Sequence, residues 1–274
     1  MVGIPAALAE QTEAESLYDV VGNAPADVID GLGVTACRVG GGVALSAPND
    51  PSQYWSKALG FGFDEPVTAA LMREVTDFYR AAGTPLAVLQ LAPAVLPPDW
   101  AAICAETGLE PGRHWVKLAG ETEHVAAALP EPKTDLVIRQ VEPADAGRWA
   151  QVMLDGFGMP DGGVRPMLAA MVGRPELLPL AAWDGDDLVA TGAMRTHQSV
   201  GHVFCGATLP QARGRGAQSA LIAARVQAAS AAGLRWLVTE TGAEEPGSHN
   251  SSLHNMYRAG FELLYERQNW ILRA

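Results

Sequence analysis

Apolar residues recur along this chain at two spacings, and the spacing changes from segment to segment. After Pro66, the residues Val67, Leu71, Val75 and Phe78 repeat at helical intervals until Gly83, which predicts a helix. Short apolar runs at 86–91 and 114–118 predict strands, the first closed by Pro93. Pro97-Pro98 precedes a short helix over 99–107. Upstream, 14–21 predicts a short helix, and 34–47 a strand with Gly40–Gly42 as a turn or bulge inside it. Asn49-Asp50-Pro51 marks a loop. The first half therefore reads as small α/β units with a sheet of its own.

Residues 119–133, with Glu121, Glu123, Pro130 and Pro132, interrupt both patterns and divide the chain into regions 1–130 and 134–274. Beyond them, 135–141 predicts a strand, followed through Pro143 by a helix to about Met153 and a second over 165–171. Strands at 178–183 and 188–197 flank Asp184-Gly185-Asp186-Asp187, whose turn chemistry predicts a hairpin and outweighs a likeness to a calcium loop. A strand at 201–209, a helix over 217–232 stopped by Gly233, a strand at 234–240, a helix over 250–259 and a strand at 261–272 follow. The order from 134 is β-α-α-β-β-β-α-β-α-β.

Charge sharpens the division. Up to residue 130 there are sixteen acidic and six basic residues, and from 131 fifteen and thirteen, giving net charges of −10 and −2. An acidic chain lacks the basic surface needed to grip phosphate backbones, so no nucleic-acid partner is expected. Yet its second half is neutral enough to hold one anion locally. Cys37, Cys104 and Cys205 are scattered, with neither a disulfide framework nor a metal-binding spacing, so no metal site is expected. There is no basic n-region before an apolar run and no membrane-length apolar stretch, which points to the cytoplasm and away from membranes.

The most informative segment is 208–229, TLPQARGRGAQSALIAARVQAA. A strand ends at Leu209, a tight loop holds Gly214 and Gly216, and a helix begins at once. Such a loop aims backbone N–H groups and the positive end of a helix at one point, where an oxyanion or pyrophosphate fits. The GRG run lacks the third glycine of a dinucleotide fingerprint and no GK[ST] follows. Taken alone, the loop is equally compatible with a capped surface turn.

Gln211-Ala212-Arg213-Gly214-Arg215-Gly216 resembles the [QR]-x-x-G-x-[GA] acetyl-CoA signature of the GNAT (Gcn5-related N-acetyltransferase) superfamily, and it lies between a strand and a helix as there. Asn250 to Phe261 resembles the second signature, an Asn seven residues before Tyr257, which precedes x-x-Gly-Phe. The resemblance implies an α/β fold with a mixed central sheet flanked by helices. The region 134–274 would be the catalytic domain, and 1–130 a degenerate copy or accessory α/β domain in tandem. It further implies that Gln211, Ala212, Arg213, Gly214, Arg215, Gly216 and Ala217 hold the pyrophosphate of acetyl-CoA. Ala207, Thr208 and Leu209 would pair with the pantetheine arm, Asn250 would support the cofactor side, and Tyr257 would protonate the departing thiolate.

Direct attack of an amine on a thioester needs a neutral amine, alignment and donors for the developing oxyanion. Glu240, at the end of the strand facing the cofactor strand, is the first candidate for the base; His202 and His197 are weaker ones. Cys205 reads as a small core residue rather than a nucleophile. The acceptor expected is a small-molecule or peptide amine, and a homodimer is compatible with the sequence. A non-catalytic acyl-CoA-binding regulatory or scaffold module is the alternative.

Overall fold

In the computed structural model, which describes residues 3–274, the helix expected after Pro66 begins at Ala69, because Thr68 caps it. The Thr68 hydroxyl accepts the Leu71 N–H at 3.2 Å, satisfying one orphan donor of the first turn. The first half comprises α1 (Ala6–Gly22), α2 (Ala26–Leu32), β1 (Thr35–Val39), β2 (Gly42–Ser46) and β3 (Lys57–Leu59). It continues with α3 (Ala69–Ala81), β4 (Leu86–Gln90), α4 (Trp100–Thr107), β5 (Leu109–Glu121) and α5 (Thr122–Ala128).

The second half follows the expected order. It contains β6 (Val137–Gln140), α6 (Ala146–Phe157), α7 (Val164–Ala169), β7 (Leu177–Asp184), β8 (Asp187–His197) and β9 (Val200–Thr208). Then come α8 (Ala217–Ala231), β10 (Trp236–Gly242), α9 (Ser251–Arg258) and β11 (Glu262–Arg273). No helix among the described residues is long and apolar enough to cross a membrane.

The first half does not have a sheet of its own. All strands form one eleven-stranded sheet in the order β1-β2-β3-β4-β11-β5-β10-β9-β8-β7-β6. The halves exchange their last strands: β5 lies against β10, and β11 lies against β4, with β5 and β11 antiparallel between them. The segment 119–133 is therefore no simple linker. Its first residues extend β5, which pairs Ala119 with Val238 and Glu121 with Trp236, and α5 follows. Only 129–136 lacks regular structure.

Adjacent strand residues face opposite sides, as the pleat requires. Leu45 packs with α1 and α6 residues, whereas Ala44 joins α3 and α4 residues; Ala181 and Ala182 divide the same way between α6 and α8. One face thus carries α1, α2, α6 and α7, and the other α3, α4, α5, α8 and α9. The Ala-rich α8 is buried along most of its length, where small side chains let it lie close to the strands.

Candidate active site

The site is built where the sheet opens. The strands β9 and β10 are parallel and paired only at Val200–Trp236, Gly201–Leu237 and His202–Val238, after which they diverge. Between Ala193–Phe204 and Thr191–Ala207 the register of β9 slips, a bulge at Cys205-Gly206 where Cys205 takes the left-handed φ of 56°. The α8 side chains brace it from behind. Gln218 Nε2 donates to Ala207 O at 2.9 Å, and Arg225 Nη1 donates to Phe204 O at 3.1 Å.

A cavity of about 970 Å³ occupies the gap and reaches both faces of the sheet. On the α8 and α9 side its lining includes Thr208, Gly214, Gln218, Ser252 and Met256, and on the α1 and α6 side Glu13, Leu17, Tyr54, Met153 and Phe157. Two reagents could therefore enter from opposite faces and meet at the bulge.

The glycine loop adopts the form its sequence suggests, with one redistribution of roles. Pro210–Ala212 make a single 3-10 turn, and Gly214 and Gly216 both have φ of 79°, which favours glycine. Gly216 is the N-cap of α8 and offers no side-chain acceptor, so the first-turn amides have no cap. Ala207, Thr208, Ala212, Arg213, Gly214, Gly216 and Ala217 line the cavity. Leu209, Gln211 and Arg215 are not among the lining residues. Arg215 faces away: its guanidinium pairs with Asp135 and with Asp184 at 2.5 Å, which ties the loop to the strand β7 and the segment before β6. The two glycines also differ. A Cβ on Gly214 would meet open space, whereas one on Gly216 would lie 2.2 Å from the Lys133 carbonyl oxygen. Gly216 is needed for packing as well as for the turn.

On the other side of the gap, Glu240 lies in a buried ionic chain. Its carboxylate accepts from His202 Nε2 at 2.9 Å and lies 3.4 Å from the Lys117 ammonium. Lys117 also pairs with Glu13, and Arg267 joins Glu13 at 2.7 Å to Glu10 at 2.6 Å. Burial by itself raises the Glu240 carboxyl, but His202, Lys117 and Arg267 together outweigh it and hold the group well below the usual carboxylate range. A carboxylate so stabilised is a poor proton acceptor. The His202 ring is 1% exposed and stacks on Phe204 at 4.8 Å, and its Nδ1 has no hydrogen-bond partner. Both His202 and Glu240 line the cavity.

Other sequence candidates lie elsewhere. Tyr257 is 42% exposed and is not among the residues that line the cavity; its neighbour Met256 is. One residue along a helix is a turn of about 100°, which is enough to carry the phenol off the inner face of α9. Asn250 is consumed by structure: its Oδ1 caps Ser252 and Leu253, and its Nδ2 donates to Gly242 O at 2.6 Å. His197 sits at the far end of β8, beside Gln198 and a separate small pocket with Glu15 and Arg38. Burial pushes the Cys205 thiol up to about 12, which disfavours a thiolate there.

Sequence reading missed Glu13, Tyr54, Trp55 and Trp115, all from the first half and all lining the cavity. Glu13 had one signal. Glu10 and Glu13 are one turn apart on a helix that buries both, so they needed cationic partners from distant strands.

The chain matches no sequence-family profile and no curated protein sequence. Solved structures do resemble it. A GCN5-related N-acetyltransferase from Kribbella flavida aligns with a TM-score of 0.62 at 18% identity, covering 97% of this chain and 94% of that one. One from Sphaerobacter thermophilus gives 0.59 at 15%, covering 99% and 94%. A tandem GNAT protein from the clavulanic acid biosynthesis pathway gives 0.60 at 15%, covering 98% and 97%. The chain has the GNAT fold. The match extends over nearly the full length, so the first half lies within the likeness as much as the second.

Proposed function

We propose that the protein is an acyl-CoA-dependent N-acyltransferase that moves an acetyl group from acetyl-CoA to a primary amine. In this reading its two halves are tandem copies of one fold, and the second holds the cofactor. The observation that carries this is the opening between β9 and β10. It has an uncapped helix N-terminus with Arg213 on one side and a histidine–carboxylate pair on the other.

Pyrophosphate oxygens would accept from the first amides of α8 and the Gly214–Gly216 backbone. The pantetheine arm would lie along Ala207 and Thr208 and bring the thioester to the bulge. Acceptor nitrogen attacks the thioester carbonyl carbon, the C–S bond breaks, and the electron pair leaves with sulfur as thiolate. The amine's surplus proton passes to the His202–Glu240 pair, whose carboxylate holds Nε2 at 2.9 Å and stabilises the imidazolium. In this reading Glu240 acts through His202, which lies between the carboxylate and Phe204. Beneath the bulge, the buried Arg225 guanidinium has one nitrogen without a partner and lines the cavity. Its charge, in a site of low dielectric, favours the oxyanion that forms on the carbonyl. A thiolate is a fairly good leaving group, so the outward position of Tyr257 does not stop turnover in this reading.

Calorimetry with acetyl-CoA, followed by thiol release across an amine panel, tests the reading. Binding with one site per chain and amine-dependent thiol release support it; absence of binding ends it. The outward Tyr257 favours one second reading, a non-catalytic acyl-CoA-binding module. Binding without thiol release for any amine would select that reading.

A further inference from the structure

We propose that the acceptor is an amine carried on a flat apolar body, an arylalkylamine in chemical class, and not a polyamine, an aminoglycoside or a lysine side chain. The inference rests on the acyltransferase reading and deepens it. It begins with charge. The cavity is lined by two carboxylates, Glu13 and Glu240, and by the guanidinium groups of Arg213, Arg225 and Arg258. Neither carboxylate is free. Glu13 is held by Arg267 and Lys117, and Glu240 by Lys117 and His202. An acceptor with several ammonium groups would bring charges that neither carboxylate is free to pair. The acidity of the chain as a whole therefore does not extend to its acceptor site.

The walls point to what does fit. On the α1 and α6 side they are aromatic or aliphatic: Tyr54, Trp55 and Trp115 from the first half, and Phe157, Met159 and Leu168 from the second. The rings are already fixed. Tyr54 meets Trp55 edge to face at 5.1 Å and 80°. The Lys57 ammonium lies 3.5 Å from the centre of the Tyr54 ring and 5.2 Å from that of Trp115, so one buried cation holds both rings by their faces. Because the rings are set before the ligand arrives, a planar ligand loses little ordering energy on joining them. At the open end Phe157 stands 51% exposed on the last turn of α6, an apolar surface that an aryl group would cover. The amine end would then lie at the inner end, where His202 and Glu240 line the cavity.

The test uses the full chain in two stages. Calorimetry with acetyl-CoA alone first establishes the cofactor site. Thiol release is then measured with 2-phenylethylamine, propylamine, spermidine and a lysine amide. The expected result is kcat/KM for 2-phenylethylamine about tenfold or more above each of the others. Phe157→Ser, at a half-exposed position that the fold tolerates, should raise the KM for 2-phenylethylamine roughly fivefold through lost apolar contact. Its acetyl-CoA affinity is followed in parallel. Preference for spermidine or the lysine amide, or an unchanged KM in Phe157→Ser, overturns the acceptor class and leaves the transferase reading standing. Should acetyl-CoA bind but no amine release thiol, the transferase reading fails. Quenching of tryptophan fluorescence by 2-phenylethylamine in the presence of CoA then still decides recognition: saturable quenching that spermidine does not produce upholds it, and none overturns it.

Discussion

The two halves repeat one local design, a short parallel strand pair with a glycine-bearing loop leading into a helix, and only the second opens onto the cavity. In the first half β3 meets β4 at Lys57–Val88 and Ala58–Leu89, and residues 60–68 lead to α3. That loop carries Asp64 and Glu65, and the Thr68 hydroxyl already occupies the Leu71 amide. Its space is filled too: a Cβ on Gly62 would lie 2.4 Å from Val95, and Phe61 is 1% exposed. In the second half the loop carries Arg213 and Arg215, the cap is a glycine, and the gap beyond it is open. A glycine turn before a helix is not in itself a cradle. The amides must be unclaimed, the charge favourable and the space empty.

The contrast can be pressed hardest at the chemistry. His202→Gln keeps a polar group beside Glu240 but removes the proton acceptor, and single-turnover thiol release should slow by roughly 10²–10⁴-fold. Acetyl-CoA affinity should change only a few-fold. A chemical step at wild-type speed would reject His202 as the base.

Next comes the loop. Gly214→Trp should weaken acetyl-CoA by about 100-fold or more in calorimetry while the protein still melts cooperatively, since the space around it is open and is where the proposed pyrophosphate would sit. Gly216→Trp should instead fail to fold well, because Lys133 blocks it. Wild type should take up one acetyl-CoA per chain. Two equivalent sites would erase the distinction between the halves.

A third effect concerns Glu13, through which the first half reaches the second half's site. The carboxyls of Glu13 and Glu240 are both held below their ordinary 4.5. For Glu13 burial raises the group, and Arg267 and Lys117 outweigh it. Below about 4.5 the unfolded chain therefore binds more protons at these positions than the folded one. The stabilisation they provide is complete above that pH and is lost as pH falls through the folded values. Urea unfolding should show stability dropping from pH 5 toward pH 3, and the drop should be shallower in Glu13→Gln. An identical slope in the variant would remove Glu13 as a source.

The smallest effects are expected at Thr68 and Tyr257, neither of which lines the cavity. Thr68→Ala should cost about 0.5–2 kcal/mol of stability as a lost helix cap, with unchanged acetyl-CoA affinity. In Tyr257→Phe single-turnover thiol release should remain within about twofold of wild type. A tenfold loss there would return the phenol to the reaction.

How legible the protein is from its sequence differs between regions for a physical reason. From 134 onward each element has strong local signals: Asp184 to Asp187 at the hairpin, Gly214 and Gly216 before α8, Gly233 after it, and Asn250 as a cap. Local turn chemistry and periodicity set those, and the observed order agrees with them. Three elements of the first half were not legible. The helices α2 and α5 are short and β3 has only three residues; β5 was legible only over 114–118 and not where it runs through Pro111 and Gly112. Each forms because of what it packs against.

By itself, then, the sequence determined the elements of the second half, the glycine loop and its neutral charge balance, since these depend on residues close together in the chain. Tertiary structure alone decided the exchange of β5 and β11, because strand pairing across halves has no local signature. It alone turned Arg215 toward Asp135 and Asp184 and Tyr257 outward, since the direction of a side chain depends on which partners and which face the packing supplies. It alone gathered Glu13, Lys117, His202 and Glu240 from one helix and three strands. Buried charges must find counter-charges, and only the folded sheet brings these within reach.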